Sequence, residues 1–517
     1  MSSAVNRILK NSLYMYSGTI LTMFVSLYST RLILNSLGVS DFGIFTIVGG
    51  AIGMLGFLNG SMSNATQRFI NYAQGKGDRK GIVQIFNSAF VIHLILSVVV
   101  LFVLEIAFLV YFNGILNIPS DRVVAAQWIY QFMVVSAILS ILSVPYTANI
   151  NAHEDMGYLS LLGIVLCLAK LLVALCISVS PIDKLIFYGI CMTLIQWIDM
   201  AVKIIYCKKH YAECTLSLKQ QSNHKTIKEM YTFASFNLMT TMTSMASVYG
   251  SNLLVNSFFG TVVNAAQGIA SQISGQLMVF SVSLKSAINP VIGKKAGAND
   301  MASLLKYSFT TSKLSFFLLT FFAVVFIIET PWILEMWLKQ VPDWAVVFCR
   351  FEIIRNLLLQ LMEGPRSALL SEGRIRVFSI YQSILYIVPL PIIYFCFFMG
   401  GSPVCLYIIL ILFLNVAASG TVVYFVKRNC GMSIRLFCKD VLLRGLSSFL
   451  IIFCVSIIPV FFMEPSLIRV IFIFLISIVS FIFVFYFIGM NKNERELITY
   501  TNKIILAKVF RKNVSNG

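Results

Sequence analysis

Residues 14–36 read YMYSGTILTMFVSLYSTRLILNS, and residues 231–257 read YTFASFNLMTTMTSMASVYGSNLLVNS. The first stretch is long enough to cross a bilayer as a helix. It also carries Thr19, Thr22, Ser26 and Thr30 at steps of three and four, which puts four small polar residues on one helical face. About 221 residues later the second stretch repeats that face with Thr240, Thr243, Ser247 and Ser251. Arg31, inside the first apolar run, falls opposite Asn252, while Tyr28, Asn35 and Ser36 fall opposite Tyr249, Asn256 and Ser257. With one residue inserted, the match continues: Gly38, Gly53, Leu55, Ser61, Ala65, Gly75 and Asp78 align with Gly260, Gly275, Leu277, Ser283, Ala287, Gly297 and Asp300. The chain is therefore read as a duplication, strongest across the first two spans of each half.

The composition agrees with a membrane setting. Of 517 residues, 58% are hydrophobic and 12% charged, against a charged fraction near a quarter in soluble domains. About fourteen spans are expected, at 12–34, 42–66, 83–111, 123–148, 159–180, 185–206, 231–255, 262–288, 303–328, 344–369, 378–399, 404–426, 445–463 and 467–489. Arg7 and Lys10 lead straight into the first, so a retained helix is expected and not a cleaved signal. With the N-terminus inside, inward segments hold about 30 of the 39 Lys and Arg, and Arg122, Lys184, Lys339 and Arg469 are the outward ones. This places both termini in the cytoplasm. The net charge of +18 then reads as a topology signal, which argues against nucleic acid as a partner.

The expected fold class is an all-α polytopic membrane protein with two parallel six-helix repeats, forming N and C lobes around a central cavity, and two C-terminal helices. The expected divisions are an N-terminal lobe at 1–206, a basic cytoplasmic linker at 207–230, a C-terminal lobe at 231–426, and two further helices with a cytoplasmic tail at 427–517. The tail from 491 reads as an inner-surface helix. An even number of crossings per repeat makes the repeats parallel, with their axis along the membrane normal.

No phosphate loop occurs, since GKGDRKG at 75–81 has the wrong spacing. Eleven cysteines show no metal-type spacing. No paired carboxylates gather in a loop, so no enzyme, metal or cofactor is expected.

The polar residues within spans carry the functional reading, because ionisable groups there require a partner or a role. Asp199 and Lys203, Glu352 and Arg355, and Glu363 and Arg366 lie three or four residues apart, where helix neighbours meet. Lys170, Lys313 and Arg350 need partners outside their own helices. Arg31 borders the hydroxyl stripe, either lining a cavity or snorkelling to the headgroups. The stripe itself suits close helix packing and cavity lining equally. Asn59, Ser61, Asn64 and Arg68 in the first half, and Gln267, Gln272, Gln276, Ser281, Ser283 and Lys285 in the second, add polar groups at membrane depth. The candidate cavity residues are Arg31, Asn59, Asn64, Arg68, Asn252, Gln272, Lys285, Lys313, Arg350 and Arg355, expected to line a water-filled, net-cationic chamber. Glu105 is the candidate for H⁺ or Na⁺ coupling, against a plain interfacial position. His93 is assigned no role.

NAHEDM (151–156), YCKKHYAEC (206–214), NSFFGTVVNAAQGIASQISG (256–275), WLKQVPDW (337–344) and EGRIRVF (372–378) resemble, in this order, the Wzx-type bacterial polysaccharide flippases. These belong to a superfamily that also holds multidrug extruders and lipid II flippases. The turn at Ser371–Arg374 departs from the Thr-Gly-Lys-like sequence frequent there. The resemblance implies transfer of undecaprenyl-diphosphate-linked oligosaccharide repeats across the bacterial cytoplasmic membrane for O-antigen or capsule assembly. A polysaccharide polymerase and a chain-length regulator would be its partners, together with membrane lipid. The alternatives are a drug/cation antiporter on the same fold and, from another class, a membrane glycosyltransferase or polymerase.

Overall fold

The structure, a computed structural model, describes residues 11, 14–22, 24–26, 28, 29, 32, 33, 35–38, 41, 44, 45, 56–112, 118–215, 224–338, 341–491, 494 and 495, without the side chains of 56–58, 224–227, 261 and 265. Among these residues there is no strand. Residues 14–22 are helical and precede α1 (Gly56–Lys76), α2 (Arg79–Val110), α3 (Val123–Ala152), α4 (Met156–Cys176) and α5 (Lys184–His210). The second half holds α6 (His224–Gly297), α7 (Met301–Leu338), α8 (Ala345–Glu372), α9 (Arg376–Phe398) and α10 (Cys405–Cys430), and α11 (Ile434–Phe461) and α12 (Leu467–Gly489) follow. Among the described residues nine helices are long and apolar enough to cross a membrane. α8 is not one of them because it carries Arg350, Glu352, Arg355, Glu363 and Arg366. The chain is an all-helical, multi-pass membrane protein of two six-helix repeats plus a C-terminal pair. Most of the expected tail helix lies outside the described residues.

The duplication extends to backbone detail. α6 contains two of the expected spans, broken at Gly260, whose φ of 78° matches the 82° of its counterpart Gly38. Such left-handed values disfavour a side chain, so both copies need glycine to turn between their first two spans. At the inner end of the second span, Gly77 (φ 73°) and Asn299 (φ 57°) each reverse the chain. Asp78 and Asp300 then cap the next helix, accepting from the amides of Gly81 (2.8 Å) and Ser303 (3.0 Å), three residues on in both copies.

The described chain forms two compact units. Unit 1 comprises Met1–Met245, Ser286–Leu304 and Leu370–Ser383; unit 2 comprises Ala246–Lys285, Leu305–Leu369 and Ile384–Gly517. The core of unit 1 is built from α2, α3 and α5 around Val100, Leu104, Ile129, Tyr130, Ile141 and Tyr188. Tyr130, fully buried, satisfies its hydroxyl by donating to the Leu104 carbonyl at 2.7 Å. On the side assigned as outer, Arg122 joins two carboxylates, with Nε to Asp41 at 2.8 Å and Nη1 to Asp183 at 2.6 Å. On the inner side, NAHEDM and the end of α5 pack together: His153 stacks on Tyr211 at 4.1 Å and bonds Glu213 at 2.5 Å, while Tyr206 and Tyr211 both donate to Asp155. Burial opposes the Glu213 charge, yet the His153 bond, its own backbone N–H and the Asn149 side chain hold its carboxyl below the ordinary range.

Unit 2 has a core of Val255, Ala266, Phe348, Tyr407 and Leu410. α7 bends at Glu329, where the backbone leaves helical geometry two residues before Pro331. Proline has no N–H for the carbonyl four residues back, here Ile327. Arg350 supplies the donor, with Nε to Ile327 O at 2.9 Å and Nη2 to Ile328 O at 3.4 Å. At the same bend Glu329, 1% exposed, takes a two-pronged bond from Arg469 at the start of α12, at 2.7 and 2.8 Å.

Candidate functional site

The site is built from the hydroxyl stripe inward. In unit 1, Thr19 and Thr22 of the opening helix line a cavity of about 330 Å³ with Ser63, Asn64 and Gln67 of α1, Asn151 of α3, Ser160 of α4, and Ser286 and Asn289 of α6. The opening helix approaches α4 closely, and Ser160 donates to the Tyr14 carbonyl at 2.6 Å. Among the described residues, the cavity lining contains hydroxyls and amides and no ionisable side chain. Asn64 and Ser286, and likewise Gln67 and Asn289, occupy equivalent places in the two repeats, so the duplication axis runs through this cavity.

The second copy of the stripe behaves differently. Thr240, Ser247 and Ser251 are buried, and Thr240 and Thr243 return their hydroxyls to carbonyls of their own helix at 3.0 Å. Burial sets this copy apart, since Thr22 of the first copy also returns its hydroxyl to its own helix, to the Gly18 carbonyl at 2.9 Å, yet lines the cavity. Arg31 and Thr30 lie outside the described residues. Asn252 is half-buried in unit 2, and Gln272 is exposed there on a polar face with Ser271 and Gln276.

A second cavity in unit 1, about 300 Å³, is lined by Asn59, Ser136, Ser140, Thr193, Gln196 and Lys170 among mainly apolar neighbours. Asn59 donates to Ser140 at 2.8 Å. Lys170 has no ion-pair partner among the described residues.

Of the cations expected to charge a chamber, the five among the described residues are each engaged within their own unit. Lys285 pairs with Glu363 at 2.6 Å, Lys313 with Glu494 at 2.6 Å, and Arg355 with Glu352 at 3.0 Å. Arg350 sits on the carbonyls released at Pro331. Arg68 donates to the last carbonyls of α8, Ser371 at 3.2 Å and Glu372 at 2.8 Å, with its guanidinium against the rings of Phe69, Tyr72 and Phe233. A cation at a helix C-terminus is favoured by the helix dipole. The positive charge expected at these positions is therefore offset by carboxylates or backbone carbonyls.

Of the expected pairs along single helices, Asp199–Lys203 forms at 2.8 Å, as does Glu352–Arg355. The third changes partner, since Glu363 binds Lys285 from α6 and Arg366 donates to Tyr386 at 3.3 Å. Glu105 accepts a bond from Gln131 of α3 at 3.2 Å. His93 is buried and bonds the Ala89 carbonyl at 2.6 Å, as a packing residue does. No His, Cys, Asp or Glu cluster among the described residues has metal-site geometry.

Residues 236–398 match the MatE family. Among solved structures, the outward-facing conformation of a multidrug resistance MATE family transporter of the MOP superfamily superposes with a TM-score of 0.72 at 13% identity, over 82% of this chain and 96% of that one. The crystal structure of MATE in the bent conformation gives 0.71 at 14% identity, over 83% and 96%. A MOP superfamily transporter from Pyrococcus furiosus, described as having a binding pocket of reverse polarity that suggests a different function, gives 0.68 at 13% identity, over 83% and 96%. No curated protein sequence matches the chain. The fold is thus that of the MATE transporters, and the match to the MatE family lies in the second half.

Proposed function

We propose that the chain is a membrane transporter of the MOP superfamily that moves a hydroxyl-rich solute by alternating access between its two repeats. The observation that carries this reading is the cavity in unit 1, where, among the described residues, nine hydroxyl or amide side chains and no charged one face a space of about 330 Å³. Neutral donors and acceptors of both kinds suit sugar hydroxyls, which need both and bring no charge to be balanced. With the resemblance to Wzx-type proteins, the substrate is an undecaprenyl-diphosphate-linked oligosaccharide repeat, flipped outward across the bacterial cytoplasmic membrane. Lys170, without an ion-pair partner among the described residues and facing the neighbouring cavity, supplies a cation for the diphosphate. No described side chain in either cavity is acidic, so any H⁺ or Na⁺ coupling runs through groups elsewhere, with Glu105 as the candidate.

A second reading is favoured by the comparisons at least as strongly. The MatE match and a multidrug resistance transporter among the similar folds support a drug or cation antiporter. Against it stands the absence of a carboxylate from the described lining of both cavities.

One experiment separates the two. In a deletion strain without a redundant flippase, the first reading expects lipid-linked repeat units to accumulate on the inner leaflet and surface polysaccharide to fall. The second expects sensitivity to cationic drugs with polysaccharide unchanged, and that outcome would overturn the first.

A further inference from the structure

The floor of the neutral cavity is formed by two helix backbones in direct contact. One turn inward from Gln67 and Asn289 lie Asn71 and Gly293, and a further turn inward lie Gly75 and Gly297. A Cβ on Gly75 would sit 1.9 Å from the Lys294 carbonyl oxygen, and a Cβ on Gly297 would sit 1.9 Å from that of Tyr72. The contact is reciprocal, because Tyr72 and Lys294 occupy the same place in their repeats, three residues before the respective glycine. A Cβ on Gly293 would meet Asn71, its own counterpart, at 2.7 Å. α1 and α6 thus cross on the duplication axis with their backbones closer than any side chain permits.

Two polar clamps hold the crossing shut. Lys294 Nζ bonds Glu154 Oε1 at 2.5 Å, and Glu154 is 7% exposed with a left-handed φ of 66° in the NAHEDM turn. Asn11 donates to the Glu154 carbonyl at 2.9 Å. Arg68, one turn before Tyr72, grips the last carbonyls of α8. All of these contacts lie within unit 1. A crossing fixed only for packing would need neither a charged link to a strained turn nor a second link to a helix end.

We infer that this crossing is the inner gate of the transport path, closed by the Gly75–Gly297 contact and latched by Lys294–Glu154 and Arg68. A solute in the cavity above it reaches the cytoplasm only when these backbones part. Packed interfaces of this kind switch between discrete arrangements and do not yield gradually. A methyl group at either glycine therefore disfavours the closed arrangement. The inference rests on the transporter reading for the direction of the path, and its test needs no substrate.

The test uses the full chain with Gln67→Cys in membrane vesicles of known orientation. A membrane-impermeant maleimide is added from the cytoplasmic face, and modification of residue 67 is read by peptide mass spectrometry, so the native cysteines do not interfere. Residue 67 is expected to label slowly in Gln67→Cys alone. Adding Gly75→Ala, Gly297→Ala or Glu154→Gln is expected to speed labelling about ten-fold or more, through overpacking of the crossing in the glycine variants and through loss of one charge-assisted contact in Glu154→Gln. Gly60→Ala, on α1 with open space around it, leaves the rate unchanged. Rapid labelling in Gln67→Cys alone overturns the gate, as does an unchanged rate in the added variants. Should the glycine variants fail to reach the membrane, Glu154→Gln decides, because it adds no volume. Faster labelling in a protein that exports no glycan would keep the gate and reject the proposed substrate.

Discussion

Glu329→Gln is the perturbation whose cost the structure defines best. Glu329 is 1% exposed and Arg469 8%, and both carboxylate oxygens are taken by guanidinium nitrogens at 2.7 and 2.8 Å. The substitution keeps the shape but removes the negative charge and turns one acceptor into an NH2 donor facing the guanidinium, so Arg469 keeps a neutral amide oxygen and the Met463 carbonyl at 3.0 Å but no counter-charge. Breaking a buried pair from one side costs about 3–5 kcal/mol, since the remaining charge stays out of water. For a unit of this size that corresponds to a fall in Tm of about 10 °C. Thermal unfolding of the detergent-solubilised protein reads it, followed by the fluorescence of Trp332, three residues from the bend. The double variant Glu329→Gln/Arg469→Met removes both charges and is expected to regain most of the loss. A Tm for Glu329→Gln within about 2 °C of the parent would refute the reasoning, because an unpaired buried guanidinium cannot cost so little.

Arg350→Met should lower Tm, and Pro331→Ala should rescue part of that loss, since alanine restores the N–H that the Ile327 carbonyl lacks; a rescue no larger than Pro331→Ala produces in the parent would contradict the assignment. Gln67→Leu and Asn289→Leu should each lower glycan export several-fold with the protein still in the membrane, at about 0.5–1.5 kcal/mol per lost hydrogen bond; export at the parental level in the double variant would exclude the cavity. Asp300 has its pKa lowered from 3.8 to about 2, first by the Ser303 amide and hydroxyl and then by Lys295. A depressed carboxylate contributes stability above its unfolded value and loses it as pH falls. Stability should therefore decline between pH 3.8 and about 2, and Asp300→Asn should flatten that part of a Tm-against-pH profile.

The duplication was the most legible feature, because backbone requirements leave residue-level marks. Gly38 and Gly260 share a left-handed φ, and Asp78 and Asp300 cap the same turn. Ion pairs at helical spacing were legible where no stronger partner intervened, as for Asp199–Lys203. Glu363 escaped that reading because Lys285, 78 residues away in sequence, reaches it from another helix. Lys313 and Glu494 are 181 residues apart, and such a pairing depends on tertiary packing. Arg68 and Arg350 bind backbone carbonyls, which every residue has, so their targets carry no side-chain signature. For Arg350 one signal existed: Pro331 marks the carbonyl four residues earlier as lacking its donor. The neutral cavity was half visible in the Thr19 and Thr22 stripe. Its closure by Gln67 and Asn289 depended on knowing where the axis passes.

The reciprocal glycine contact also limits how the two halves of this chain can diverge. After a duplication each copy normally drifts on its own, as Arg31 opposite Asn252 illustrates. At Gly75 and Gly297 that independence ends, because the obstacle to a side chain on one copy is the main chain of the other. A change in either half is paid at the shared axis, and no substitution in the partner can compensate, since a backbone oxygen cannot be mutated away. The halves can specialise for different parts of a substrate everywhere except where they touch.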